Sequence, residues 1–286
     1  MNRLCASDCG HTPAEASCDS GAALAHGPPT RAFSAHLLAG AAAVFALAAG
    51  AACAASDPVC VLTFDDASAS HARTVAPLLK QYAFGATFFV CEFGGFENKA
   101  NYMSWAEIAQ LSRDGFEIGN HTLTHAHVGK LKPEQLAAEL AAIEARCASN
   151  GIPRPVSFAY PGYATNAAAL DVLRGRGYRW ARAGGGRACR PGLDNPLLLP
   201  SVSGSGEKPD RLLTALGQAR PGEVVIVTFH GVPDLAHPQV GVPPETFKVY
   251  LDYLRDHHYR VIALRDLETL LPGQEPATRD RNGTKL

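Results

Sequence analysis

From Asp57-Pro58 onward the chain alternates short, unbroken apolar runs with longer stretches in which apolar residues recur every three or four positions. The runs at 59–64, 86–91, 116–120, 156–160, 179–183, 197–202, 224–229 and 260–264 predict buried strands. The periodic stretches at 72–82, 104–114, 133–149, 167–176, 208–219 and 244–257 predict helices, several of them ending at or just before a glycine. Strands joined by single helices imply a parallel sheet with right-handed crossovers, either closed as a barrel or open and doubly wound. The candidate polar groups all follow strand ends: Asp65 and Asp66 after the first, His121 after the third, Pro161 after the fourth and His230 after the seventh. A barrel gathers such ends around one mouth, whereas an open sheet spreads them along a crevice, so an α/β barrel is the expected fold.

Composition changes this picture mainly at the ends of the chain. With 286 residues, 47% hydrophobic and 8% aromatic, there is material for one large α/β domain or two small ones. The formal net charge of -1, with basic residues scattered, gives no field for nucleic acid. Residues 36–55 carry no charge, follow Arg31 and end in small residues, as a secretory signal does. A membrane anchor or a buried Ala-rich helix would look similar. The expected organisation is an N-terminal extension with signal or anchor over 1–56, a catalytic domain over 57–272 and a loose tail over 273–286. The expected location is exported: periplasmic, secreted or membrane-attached through 36–55. Cys5, Cys9, His11 and Cys18 match no common zinc-finger spacing. In an exported protein some of Cys60, Cys91, Cys147 and Cys189 could be bridged, with connectivity left open.

The chemistry concentrates in two motifs. Asp65-Asp66 places adjacent carboxylates after a strand, a costly arrangement in an apolar setting unless a cation or an Arg neutralises them. Helix capping would need only one of them. His121 and His125 are four apart, where a helical turn would face both imidazoles the same way. One acid and two imidazoles can hold a divalent metal, leaving the second acid as a base. His230 ends an apolar strand and is either a buried core histidine or a general acid across the site. No Gly-x-Ser-x-Gly elbow or His-Glu-x-x-His helix occurs, which argues against serine hydrolases and zincins.

Thr63-Phe64-Asp65-Asp66, His121-Thr122-Leu123-Thr124-His125, Phe158-Ala159-Tyr160-Pro161-Gly162-Tyr163 and the strand ending at His230 together resemble the polysaccharide deacetylase family, carbohydrate esterase family 4, over the NodB homology domain. The likeness runs over about residues 57–265. It implies a distorted (β/α) barrel of about seven parallel strands and a metal, Zn²⁺ first with Co²⁺, Ni²⁺ or Mn²⁺ as alternatives, held by Asp66, His121 and His125. It implies Asp65 as general base, His230 as acid, and Pro161, Gly162 and Tyr163 near the oxyanion and substrate. The substrate would be an acetylated carbohydrate, an N-acetyl-amino-sugar or an O-acetyl sugar.

Several positions depart from the family pattern. Ala67 stands for the usual Gly, Ala159 for the usual Arg that braces the catalytic Asp, Gly162 for an aromatic and Thr228 for a Leu; the Asp and Trp of the fourth motif are not evident. Arg182 is either a replacement brace for Asp65 or a surface arginine, and Asp234 either orients His230 or shapes a turn. The altered third motif leaves room for a metal-dependent hydrolase of a non-sugar C–N amide, and a silent carbohydrate-binding protein is a third reading. Trp105 reads as core packing, Trp180 as core or sugar-stacking, and His127 and His237 as loop residues that could line the cleft.

Overall fold

A computed structural model describes residues 57–206 and 209–271. The leader expected over 36–55 and the tail expected from 273 lie outside the described residues. Eight parallel strands follow in chain order: β1 (Val59–Phe64), β2 (Thr87–Val90), β3 (Glu117–Asn120), β4 (Ser157–Ala159), β5 (Trp180–Arg182), β6 (Val202–Ser203), β7 (Val224–Phe229) and β8 (Arg260–Ile262). Seven of them run in the order β5-β4-β3-β2-β1-β7-β6. Leu199 bridges to Arg182 on β5, and three residues later Val202 pairs with Val227 on β7, so one segment ties both edges of the curled sheet. The expected strand at 197–202 is shortened to Val202–Ser203 because Pro200 interrupts it and cannot donate to a ladder.

The distortion of the barrel lies at β1. Its upper residues Thr63 and Phe64 pair with β2, while Val59, Cys60 and Val61 pair with β8 on the side that β2 has left. Buried Glu117 pins this lower end, accepting hydrogen bonds from Thr87 Oγ1, Ser157 Oγ and the backbone N–H of Arg265. Leu264, expected in the last strand, instead opens a 3₁₀ stretch over Leu264–Leu270.

The helices α1 (Ala76–Tyr82), α2 (Trp105–Arg113), α3 (Pro133–Ser149), α4 (Ala167–Gly175), α5 (Asp210–Gly217) and α6 (Pro244–Asp256) surround the sheet. Ser104 starts α2 as predicted, with its hydroxyl and the Glu107 carboxylate forming a capping box. The first predicted helix is divided, because His71–Val75 forms a π-helical turn before α1. Under the mouth, Phe64 stacks on Phe88 and Phe229 at centroid distances of 5.1 and 5.4 Å and meets Phe247 edge-on. All four rings are fully buried, each contributing about 2–3 kcal/mol of apolar burial. This aromatic plug gives the loops above it a rigid floor. Cys60, Cys91, Cys147 and Cys189 are buried free thiols, so none of the bridges considered for them forms among the described residues.

Candidate metal centre

β1 and β7 pair over six consecutive residues, ending at Phe64 opposite Phe229. The next residues, Asp65 and His230, therefore emerge side by side, and Asp65 N–H donates to Phe229 C=O at 2.9 Å. The chain then turns sharply: Asp66 and Ala67 have φ of 73° and 51°, in the left-handed region. Across the mouth, His121 and His125 leave β3 on a bend and not on the expected helical turn. Thr122 and His125 have φ of 61° and 55° there. The bend is held by the Asn120 side-chain carbonyl accepting from Thr122 N–H and the Thr122 hydroxyl accepting from Ala126 N–H, which replaces helical bonding. It still brings both rings together, with His121 and His125 Nε2 each 3.5 Å from Asp66 Oδ1. One donor atom from each of the three residues lies within 4.8 Å of the others.

These donors fit a divalent cation. Burial pulls His121 down to about 3 and lowers His125, so both imidazoles are neutral ligands at physiological pH. His121 Nδ1 lies 2.8 Å from the Ala159 carbonyl, which fixes that nitrogen as the N–H and leaves Nε2 with its lone pair toward Asp66. Burial, and then the adjacent Asp65, push the Asp66 carboxyl well above its ordinary range. A carboxylate so destabilised by its surroundings is one that a cation would relieve. Phe93 stacks on the His125 ring at 4.4 Å and restrains it from the outer side.

Asp65 is held differently. Its burial would raise its carboxyl, but Arg182 and then His121 outweigh that and hold it below the ordinary range. Arg182 Nη2 donates to Asp65 Oδ2 at 2.5 Å, and the guanidinium is itself fully buried. Asp65 Oδ1 is buried without a hydrogen-bond partner among the described residues. Arg182 Nη1 donates to Thr228 Oγ1 at 2.7 Å, Thr228 lies 3.0 Å from Ser201 Oγ, and Ser201 donates to Ala183 C=O. The polarity of this chain is set by its ends: the Thr228 hydroxyl must donate to Ser201. Sequence reading missed Ser201 and Thr228 as supports; the signal available was a hydroxyl in place of Leu inside an otherwise apolar strand.

His230 Nε2 lies 3.7 Å from Asp66 Oδ2, and its Nδ1 is buried without a hydrogen-bond partner among the described residues. The Asp234 carboxylate does not orient it. Asp234 accepts from the backbone N–H groups of Gly231, Ala236 and His237, so it shapes the loop, and it makes no hydrogen bond to His230 among the described residues. Pro161–Tyr163 forms a 3₁₀ turn after β4 with Gly162 at φ 56°. Tyr163 is 41% exposed and lies against the Arg182 guanidinium, 5.4 Å from ring centroid to carbon. His237 packs beside Phe93 at the mouth. Trp180 is buried in a cluster with Leu199 and Leu267, and Trp105 Nε1 donates to Glu92.

Residues 53–181 match the family model described as polysaccharide deacetylase. A chitin deacetylase from a Pestalotiopsis species is 29% identical over 117 residues, covering 41% of this chain and 38% of that protein. A peptidoglycan-N-acetylglucosamine deacetylase from Bacillus cereus is 29% identical over 126 residues, 43% of this chain and 55% of its own length. The chain thus spans about half or less of the length of these curated relatives. Among solved structures, the chitin deacetylase of the fungal pathogen Colletotrichum lindemuthianum shares the fold with a TM-score of 0.55 at 20% identity, over 78% of this chain and 91% of that one. The Xyl-CE4 domain of a multidomain xylanase from a Trinervitermes trinervoides hindgut metagenome does so with a TM-score of 0.53 at 18% identity, over 80% and 100%. The stretch that carries Asp65-Asp66 and the His121 and His125 pair is thus the part of this chain that matches the polysaccharide deacetylase family.

Proposed function

We propose that the chain is a metal-dependent hydrolase that removes acetyl groups from carbohydrate, N-acetyl-amino-sugar oligomers or polymers before O-acetyl sugars. The observation that carries this reading is the pairing of a three-donor cluster with a second, ionised carboxylate: Asp66, His121 and His125 within 4.8 Å of one another, and Asp65 Oδ2 3.7 Å from His121 Nε2. The names of the relatives, chitin deacetylase and peptidoglycan-N-acetylglucosamine deacetylase, support the substrate class.

In this reading Asp66, His121 and His125 hold the ion, Zn²⁺ by preference, with Co²⁺, Ni²⁺ and Mn²⁺ accepted by the same donor set. When bound, the ion polarises the acyl oxygen and acidifies water. Asp65, kept ionised by Arg182, takes the proton of the attacking water on its unpartnered Oδ1. The turn at Pro161 and Gly162 aims backbone at the developing oxyanion. His230, in its protonated form, delivers a proton from Nε2 to the leaving nitrogen, so the bond to the acyl carbon breaks to give acetate and a free amine, and the proton held by Asp65 passes to solvent. Tyr163, exposed on its outer face, offers a surface on which a sugar ring can rest. The uncharged run over residues 36–55 supports action outside the cytoplasm, by secretion or membrane attachment.

Acetate release from chitooligosaccharides, acetylxylan and small non-sugar amides, with zinc-loaded and chelated protein, tests the proposal. Release from the chitooligosaccharides is expected, lost on chelation, and reduced about 10²-fold or more in Asp65→Asn at unchanged metal content. Release from small amides alone would redirect the substrate class. Equal turnover by Asp65→Asn would remove the mechanism.

A further inference from the structure

His230 is in an unusual position for a group asked to place a proton: among the described residues Nδ1 has no hydrogen-bond partner, and the Asp234 carboxylate is engaged by backbone N–H groups and not by the ring. Its direction must then come from the backbone that carries it. Gly231 beside it is tied to Asp234 and Val242, but the His230 carbonyl and Val232 N–H are gripped by the segment Ser68-Ala69-Ser70-His71 that follows the Asp65-Asp66 turn. His71 Nε2 lies 3.1 Å from the His230 carbonyl, and because a carbonyl only accepts, Nε2 is the protonated nitrogen. Ser70 Oγ accepts from Val232 N–H at 2.7 Å, and Ser68 Oγ lies 3.1 Å from Ser70 Oγ. Between these two contacts the loops approach so closely that a Cβ on Gly231 would stand 2.6 Å from Ser68 Oγ and 2.5 Å from the Asp234 backbone. Only glycine fits there.

The grip is itself rigid. His71 is fully buried, 5.5 Å by ring centroid from Phe64 and 5.4 Å from Phe88, on the aromatic plug beneath the site. It opens the π-helical turn His71–Val75, whose widened backbone departs from the ordinary helix the sequence predicts. Nothing in the metal cluster uses this imidazole, and a fully buried polar ring at a widened turn is a costly choice if packing alone is served.

Resting on the functional reading above, we infer that His71, with Ser70, is a positioning residue that holds the His230 backbone so that Nε2 meets the leaving group. His71 touches no reacting atom. Its effect passes through the proton that His230 delivers, and that dependence separates it from a residue that only stabilises the fold.

The test compares two substrates that differ in their need for an acid. An N-acetylchitooligosaccharide expels an amine and needs protonation, whereas p-nitrophenyl acetate expels a stable phenolate and does not. In zinc-loaded protein, His71→Phe is expected to lower kcat on the chitooligosaccharide about tenfold or more with little change in KM, and to cost less than about threefold on the aryl ester. His71→Gln, which keeps an N–H near the same place, recovers most of the loss. In a His230→Ala background His71→Phe adds nothing. Ser70→Ala, which removes only the part-buried hydroxyl that accepts from Val232 N–H, shows the same bias toward the amide and carries the test if His71→Phe does not fold. Equal losses on both substrates, or no loss on the amide, would overturn the assignment. A wild-type protein that releases acetate from neither substrate would overturn the functional reading and the assignment with it, an outcome distinct from a wild-type enzyme whose variants show no substrate bias.

Discussion

Asp65 and Asp66 are neighbours in sequence with opposite electrostatic fates. Both are buried, yet Arg182 keeps the first ionised, while at the second, burial, Asp65 and Asp234 outweigh the opposing pull of Arg182 and of the Cys91 thiol. The difference comes from one side chain on β5, which is why the Asp-Asp motif alone does not say which acid is the base. Arg182→Met leaves Asp65 buried and unpaired, and is expected to lower the unfolding free energy by about 3 kcal/mol and to depress turnover; urea unfolding and acetate release measure the two. Thr228→Leu, the residue the family pattern favours, strips the acceptor from Arg182 Nη1 and is expected to cost about 1–3 kcal/mol, with Thr228→Ser recovering most of it. The motif residues and the need for a brace were legible in the chain. That Ser201 and Thr228 hold the brace was not, because residues 182, 201 and 228 meet only when β5, the segment after Pro200 and β7 close together.

At the level of elements, apolar runs and helical periodicity placed the α-helices and all strands but β6 to within a few residues, since burial on both faces leaves a continuous apolar signature. The misses share a cause: local backbone chemistry overrode the period. Pro200 shortened β6, the side chains of Asn120 and Thr122 turned the chain between His121 and His125 without a helix, and the tie between His71 and the His230 loop accompanies a π turn ahead of α1. At the other end of α1, Ala83 takes the left-handed conformation at φ 55° and is exposed. Glycine carries no Cβ penalty there, so Ala83→Gly is expected to raise the unfolding free energy by about 0.5–1 kcal/mol, read from the urea midpoint at unchanged m-value.

For the molecule as a whole, the barrel buries polar groups that water would otherwise ionise, and this sets its acid sensitivity. His71 falls from an ordinary 6.5 to about 4, first because of burial. Between those values the unfolded chain holds the proton and the folded one does not, so stability is full above about pH 6.5 and declines as pH drops toward 4. His71→Gln has nothing to titrate in that window; its unfolding free energy is expected to fall less than the wild type's between about pH 7 and pH 5. Sequence by itself determined the class of fold, the strands and helices, the two acids, the two imidazoles and the family likeness, because these are local patterns of apolarity and adjacent motifs. Tertiary structure alone decided which acid stays ionised, what aims His230 and which hydroxyls support the guanidinium, because each depends on residues far apart in the chain brought within hydrogen-bond range by strand register, and on a dielectric that exists only once the barrel has closed.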